Sequence, residues 1–180
     1  MARPLRPQFE NATYHIFSKG NRGAPIFLEP DDYRLFLALL GTVASRLDWW
    51  CHSFGLMTTH YHFLATTPQP NIATGMQRLN SRFAAAFNHR HAESGHVFQG
   101  RYGSVVSESD EQMVEVFRYI ALNPVRAGLC RRPENWRWSS YRAAIFGFAA
   151  PPARPERILA QFGTGAAARA RLGTFVEAKL

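Results

Sequence analysis

Two histidines stand one residue apart in the stretch TTHYHFLATT, residues 58–67. The run is rich in β-forming residues and reads as a strand. On a strand, residues i and i+2 share a face. His60 and His62 therefore present two imidazoles to one side, and Tyr61 and Phe63 point to the other. Such a pair suits a metal such as zinc. It equally suits two histidines on a wet sheet face with no ligand. No HExxH follows, which excludes a helix-borne zinc protease site. No acidic residue and third histidine follow either, and 180 residues is short for a barrel amidohydrolase. A metal here needs a third ligand from another part of the chain, and chemistry needs a nucleophile.

The stretch EVFRYIALNPVRAGL, residues 115–129, offers both. It reads as a helix, and Tyr119 and Asn123 are four residues apart, so they share a face. The Asn123 amide oxygen suits a hard cation such as Mg²⁺ or Mn²⁺. Tyr119 then lies one turn from the metal. Plainer roles fit the same residues. Tyr119 suits half-buried packing, and Asn123 before Pro124 suits the N-cap of a short PVRAG turn.

The elements that must position these groups alternate along the chain. NATYHIFS (11–18) reads as a strand and KGNRGAP as a glycine loop. LEPDDYRLFLALLGTVASRLD reads as a helix. Pro30 sits in its first turn, and Tyr33, Phe36, Leu37, Leu40, Val43, Ala44 and Leu47 form one apolar face. WWCHSFGLM (49–57) is a second strand and forms an antiparallel hairpin with TTHYHFLATT. Residues 72–91 read as a helix with Arg78, Arg82, His89 and Arg90 on its polar side. GHVFQGRYGSVVS (95–107) is a loop leading into a strand. SESDEQMVEVFRYIALN (107–123) is a helix capped by Ser107 or Ser109, and Pro124 stops or restarts it. PENWRWSSYRAAIFG predicts a further short helix, and PPARP (151–155) is a stiff break. The order β, α, β, β, α, β, α predicts an α+β, ferredoxin-like (split βαβ) antiparallel sheet with helices on one face. The other face stays open. Residues 1–150 form the domain, and 151–180 are a basic, Ala/Arg-rich C-terminal helical appendage.

The totals agree with one globular domain. The chain is 46% hydrophobic and basic, with 21 Lys and Arg against 13 Asp and Glu, a formal +8. Such a charge favours a polyanionic partner. Cys51 and Cys130 form no disulfide framework or zinc ribbon, so a cytoplasmic setting is expected. MARPLRPQFE lacks the apolar core of a secretory signal, and the apolar run FLALLGTVA is too short to span a bilayer.

HxH on a strand, followed by RYIALNPVRAGL on a helix, resembles the single-tyrosine HUH transposases. Within them it is most similar to the REP-associated tyrosine transposases. HIFSKGNRGAPIF, NSRFAAAFNHRH, GHVFQGRYGS and WRWSSY extend the resemblance, in order, over about residues 9–147. One departure is MTTHYHFL, with Thr58 and Thr59 where the family pattern has Pro-Asn. The resemblance implies a bacterial-type, nucleoid-associated enzyme that cleaves and rejoins single-stranded DNA with a divalent metal, Mg²⁺ or Mn²⁺. It implies His60, His62 and Asn123 as metal ligands and Tyr119 as the nucleophile. The product is a covalent 5′-phosphotyrosine with a free 3′-OH. Rejoining then needs no ATP, and the chain has no GxxxxGK[ST] to bind it.

The expected partner is single-stranded or hairpin DNA, bound by a monomer or homodimer. The basic, aromatic-laced segments supply its contacts. They are Lys19, Asn21 and Arg22 on the glycine loop, Arg78, Arg82 and Arg90 on a helix, Arg101 and Tyr102 after Phe98, and Arg118 and Arg126 on the helix of Tyr119. The competing reading is a catalytically inactive single-stranded nucleic-acid-binding module on the same fold.

Overall fold

The computed structural model describes residues 8–180. The opening residues 1–7, part of the stretch read as lacking a secretory signal, lie outside the described residues. The elements run β1 (Ala12–Lys19), α1 (Pro30–Arg46), β2 (Trp50–Leu56), β3 (His60–Thr67), α2 (Ile72–His91), β4 (Gly103–Ser107) and α3 (Asp110–Arg126). Three shorter helices follow, α4 (Tyr141–Phe146), α5 (Glu156–Ala160) and α6 (Gly165–Glu177). The four strands form one sheet in the order β2-β3-β1-β4. Every pair is antiparallel. This is the ferredoxin-like arrangement.

Strand alternation divides the side chains as expected. Tyr14 and Ile16 of β1 and Tyr61 and Phe63 of β3 are buried with Phe36, Leu40, Leu79 and Phe83 of α1 and α2. α1 starts where Glu29 and Asp32 form a reciprocal capping box and Pro30 takes the first turn. The Asp32 carboxylate is fully buried and accepts from the Leu28 and Glu29 amides at 2.8 and 2.9 Å.

The opposite face is open only in part. Leu64 of β3 packs there against Met113, Phe117 and Ile120 of α3, and Ile158, Leu172 and Val176 of α5 and α6 complete this second core. α3 crosses close to β2 because Gly55 has no side chain. A Cβ there would lie 3.1 Å from Ile120 Cγ2 and 3.3 Å from the Ile120 carbonyl oxygen.

Two local expectations are corrected. Pro124 neither stops nor restarts α3, which runs through it to Arg126. The proline removes one amide donor near the helix end. The Ala127 and Leu129 amides still close the turn, on the Asn123 and Pro124 carbonyls, both at 2.9 Å. The stretch PENWRWSSYRAAIFG is not one helix. Residues 136–140 run along the free edge of β2: Leu56 N donates to Trp138 O at 2.9 Å, and Ser140 N to Phe54 O at 3.0 Å. An edge strand needs such a cover, and it wins over the helical propensity of the segment. Trp138 stacks on Tyr33 at 4.4 Å and is a packing residue.

Candidate active site

β3 carries His60 and His62 toward the α3 face, and α3 carries Tyr119 and Asn123 toward them. The His60 Nε2–H donates to Asn123 Oδ1 at 3.3 Å. The two histidine rings are 5.1 Å apart, and Tyr119 stands edge-on 5.4 Å from His62. All four residues thus gather where the C-terminal half of α3 lies over β3. Asn123 lies inside the helix and is not an N-cap. Tyr119 is 39% exposed, with its ring against His15 and His62. Tyr61, one residue from each histidine, is fully buried on the other face and donates to Asn80 Oδ1 at 2.7 Å.

A third histidine enters that the sequence reading left unassigned. His15 of β1 lies 3.0 Å from His62, ring nitrogen Nε2 to Nδ1. Its ring is 5.6 Å from Tyr119. The signal was present in NATYHIFS. There Thr13, His15 and Phe17 alternate with Tyr14 and Ile16 and therefore face α3. Only the register Phe17↔His62 shows that the two histidine-bearing faces coincide.

Burial keeps these rings neutral. It lowers His62 from the ordinary 6.5 to about 3, with the neighbouring His15 and His60 adding to the effect. It lowers His15 to about 4. His60 is lowered as well by burial, and its bond to Asn123 opposes the shift. Neutral imidazoles are the metal-binding form.

The donor set fits a divalent ion. With ligand bonds of about 2.1 Å, neighbours in an octahedral shell stand about 3.0 Å apart. His60 Nε2 and Asn123 Oδ1, 3.3 Å apart, are close to that, and an ion between them would take the place of the Nε2 proton. The His62 Nδ1 is occupied by His15, which leaves Nε2 as the nitrogen that could bind an ion. Among the described residues no three His, Cys, Asp or Glu side chains gather into a metal cluster, so an amide oxygen is the third donor on hand.

The site opens into a cavity of about 640 Å³ whose walls include Lys19, Arg101, His60, His62 and Tyr119. The hairpin turn that begins with Thr58 and Thr59 is well tied. Gly20 N donates to Thr59 O at 2.7 Å, and Ile26 N to Thr58 O at 2.9 Å. Gly20 itself admits no side chain, because a Cβ would sit 2.0 Å from the Ala24 carbonyl oxygen.

The proposed DNA contacts divide into three groups. Lys19 and Arg101 line the cavity, and Asn21 and Arg22 directly precede Gly23, which also lines it. Arg78, Arg82 and Arg126 are exposed but outside that wall, and Tyr102 is buried beneath a second cavity. Arg90 and Arg118 are spoken for. Arg90 bridges to Asp31 at 2.7 Å, tying the end of α2 to the start of α1. Arg118 pairs with Glu115 and lies 4.2 Å over the Phe175 ring. Acids at one helix start and bases at another helix end attract, and this pairing competes with any phosphate.

Comparison with known proteins gives the family. The sequence pattern of the family described as transposase IS200-like matches residues 8–123. The chain belongs to that family and is a transposase. It shares its fold with a REP-associated tyrosine transposase solved bound to a REP hairpin. The TM-score is 0.69 at 15% identity, over 82% of this chain and 87% of that one. The tRNA(His) guanylyltransferase of Saccharomyces cerevisiae is similar at a TM-score of 0.50 and 10% identity, over 98% of this chain and 82% of that one. Two such different activities on one architecture show that the fold alone does not set the chemistry. A search of curated proteins gives no match. No helix among the described residues is long and apolar enough to cross a membrane.

Proposed function

We propose that this transposase cleaves and rejoins single-stranded DNA at the His60–His62–Tyr119–Asn123 site, through a covalent phosphotyrosine. The observation that carries the reading is the convergence of an exposed tyrosine, two neutral histidines and an amide oxygen at the mouth of a basic cavity. His60, His62 and Asn123 would hold Mg²⁺ or Mn²⁺. When bound, such an ion supplies Lewis-acid charge on a non-bridging phosphate oxygen.

The chain's own residues do the rest. Lys19 and Arg101 draw the phosphate backbone into the cavity. The Tyr119 oxygen attacks phosphorus, its proton leaves to solvent, and the bond from phosphorus to the 3′ oxygen breaks. The strand then ends in a 3′-OH, and the 5′ phosphate stays on Tyr119. Attack by a 3′-OH reverses the step and restores a phosphodiester without ATP. His15, bonded to His62 Nδ1, holds that ring in the tautomer whose Nε2 would be free to ligate the ion. The bound hairpin in the similar solved transposase supports hairpin-bearing DNA as the substrate class.

The test is a denaturing gel after incubation with labelled hairpin DNA and Mn²⁺. The wild type and Tyr61→Phe form a protein–DNA adduct. Tyr119→Phe forms none, yet binds the DNA, because only one oxygen is lost. His60→Ala with His62→Ala also abolishes cleavage. An adduct that persists in Tyr119→Phe would overturn the assignment. Binding without any adduct in the wild type would favour an inactive binding module.

A further inference from the structure

A second cavity, of about 620 Å³, adjoins the first and shares Gly100 and Arg101 with it. It lies between α2 and the segment 95–102. That volume is in the roughly 300–1,000 Å³ range of small-ligand sites. Met76 and Phe98 give it an apolar floor, and Gln77, Asn80 and Ser81 give it a polar wall. Asn80 is held in place. Its Oδ1 accepts from the buried Tyr61 hydroxyl at 2.7 Å. Its NH₂ group has no protein partner among the described residues.

We infer that this second cavity takes one unpaired nucleobase of the DNA strand being processed, next to the phosphate at Tyr119. The inference rests on the single-stranded DNA reading above. Three observations support it. Arg101 belongs to both cavities, so one phosphate on its guanidinium leaves the flanking base at the mouth of the second. An apolar floor with an aromatic ring and a few fixed polar groups is how a splayed base is held and read. A fixed amide donor meets an acceptor on a base edge without having to order itself first. The two cavities would thus divide the work: the first handles the phosphate, and the second selects the base beside it.

The experiment uses the full chain and a labelled DNA hairpin with randomised single-stranded flanks. Retained molecules are sequenced for the wild type, Ser81→Trp and Asn80→Asp. Ser81 is exposed at the cavity wall, so tryptophan there fills the space without entering the core. Asn80→Asp keeps the acceptor for Tyr61 and removes the donor. Thermal unfolding checks that both variants fold. The wild type is expected to enrich one base at one flank position. Both variants should lose that preference alone, and bind the selected hairpin about tenfold more weakly, the size of one base contact. If the folded variants keep the wild-type preference at every position, the base pocket is wrong, and adduct formation by the wild type still upholds the Tyr119 reading. If the wild type shows no preference at any flank position, the base pocket is likewise overturned. If it neither retains nor cleaves any hairpin, both readings fall.

Discussion

Replacing His15 with phenylalanine tests how the site holds its histidines. The ring would keep its place beside Phe17 and Tyr119, at 5.3 and 5.6 Å in the parent. What disappears is the 3.0 Å bond to His62 Nδ1. His62 is only 7% exposed, so water replaces that partner poorly. An unsatisfied buried polar group costs about 1–3 kcal/mol. The metal-free variant should therefore be less stable by that margin in denaturant unfolding. The free His62 ring can also put its proton on Nε2 and close its ligand site. Loss of such an outer partner typically lowers metal affinity by roughly 10–100-fold. Titration calorimetry with Mn²⁺ on the DNA-free protein reads the effect without any cleavage assay. His15→Gln, which returns an acceptor near the lost Nε2, should recover most of the affinity. Mn²⁺ binding within about twofold of wild type in a folded His15→Phe protein would refute the argument, as would failure of glutamine to rescue.

Other outcomes follow from the same geometry. Gly55→Ala puts a Cβ 3.1 Å from Ile120 Cγ2 and presses α3, with Tyr119 and Asn123, away from the histidines by a few tenths of an ångström; cleavage should fall severalfold, a fraction of the roughly hundredfold that a 1 Å misplacement can cost, and full activity in the variant would show that α3 has slack. DNA affinity should fall with salt, and removing two phosphate contacts by Lys19→Gln with Arg101→Gln should flatten the log–log slope by about 1.4, at roughly 0.7 per contact for single strands; an unchanged slope would place the backbone elsewhere. Stability of the metal-free protein should drop in acid. His15 and His52 titrate at about 4 and His62 at about 3 in the folded protein, all lowered chiefly by burial, against 6.5 ordinarily. The unfolded chain thus takes up protons that the folded one resists, so the stability is complete above about 6.5 and is lost as pH falls toward 4 and 3. Thermal midpoints at pH 7.5 and 4.5 check this, and equal values would refute it.

The sequence by itself determined whatever repeats at short range. Alternation in TTHYHFLATT put His60 and His62 on one face and Tyr61 on the other, because strand side chains alternate by covalent geometry. Helical spacing put Tyr119 beside Asn123 for the same local reason. The order of elements gave the antiparallel sheet, since hairpins and crossovers leave few topologies. Tertiary structure decided everything that depends on register and approach. His15 joined the site only because β1 pairs with β3 so that Phe17 stands opposite His62. Arg90 left the list of free cations because Asp31 at the start of α1 came within reach of the end of α2, and Arg118 because Phe175 of α6 packs under its guanidinium, beside the Glu115 that helical spacing already placed there. The second sheet face was partly covered because Leu64 and the C-terminal helices bury apolar surface together, a long-range gain that no local window of sequence contains. And Pro124, read as a helix stop, sits within α3 because the closing bonds of that turn come from residues beyond it.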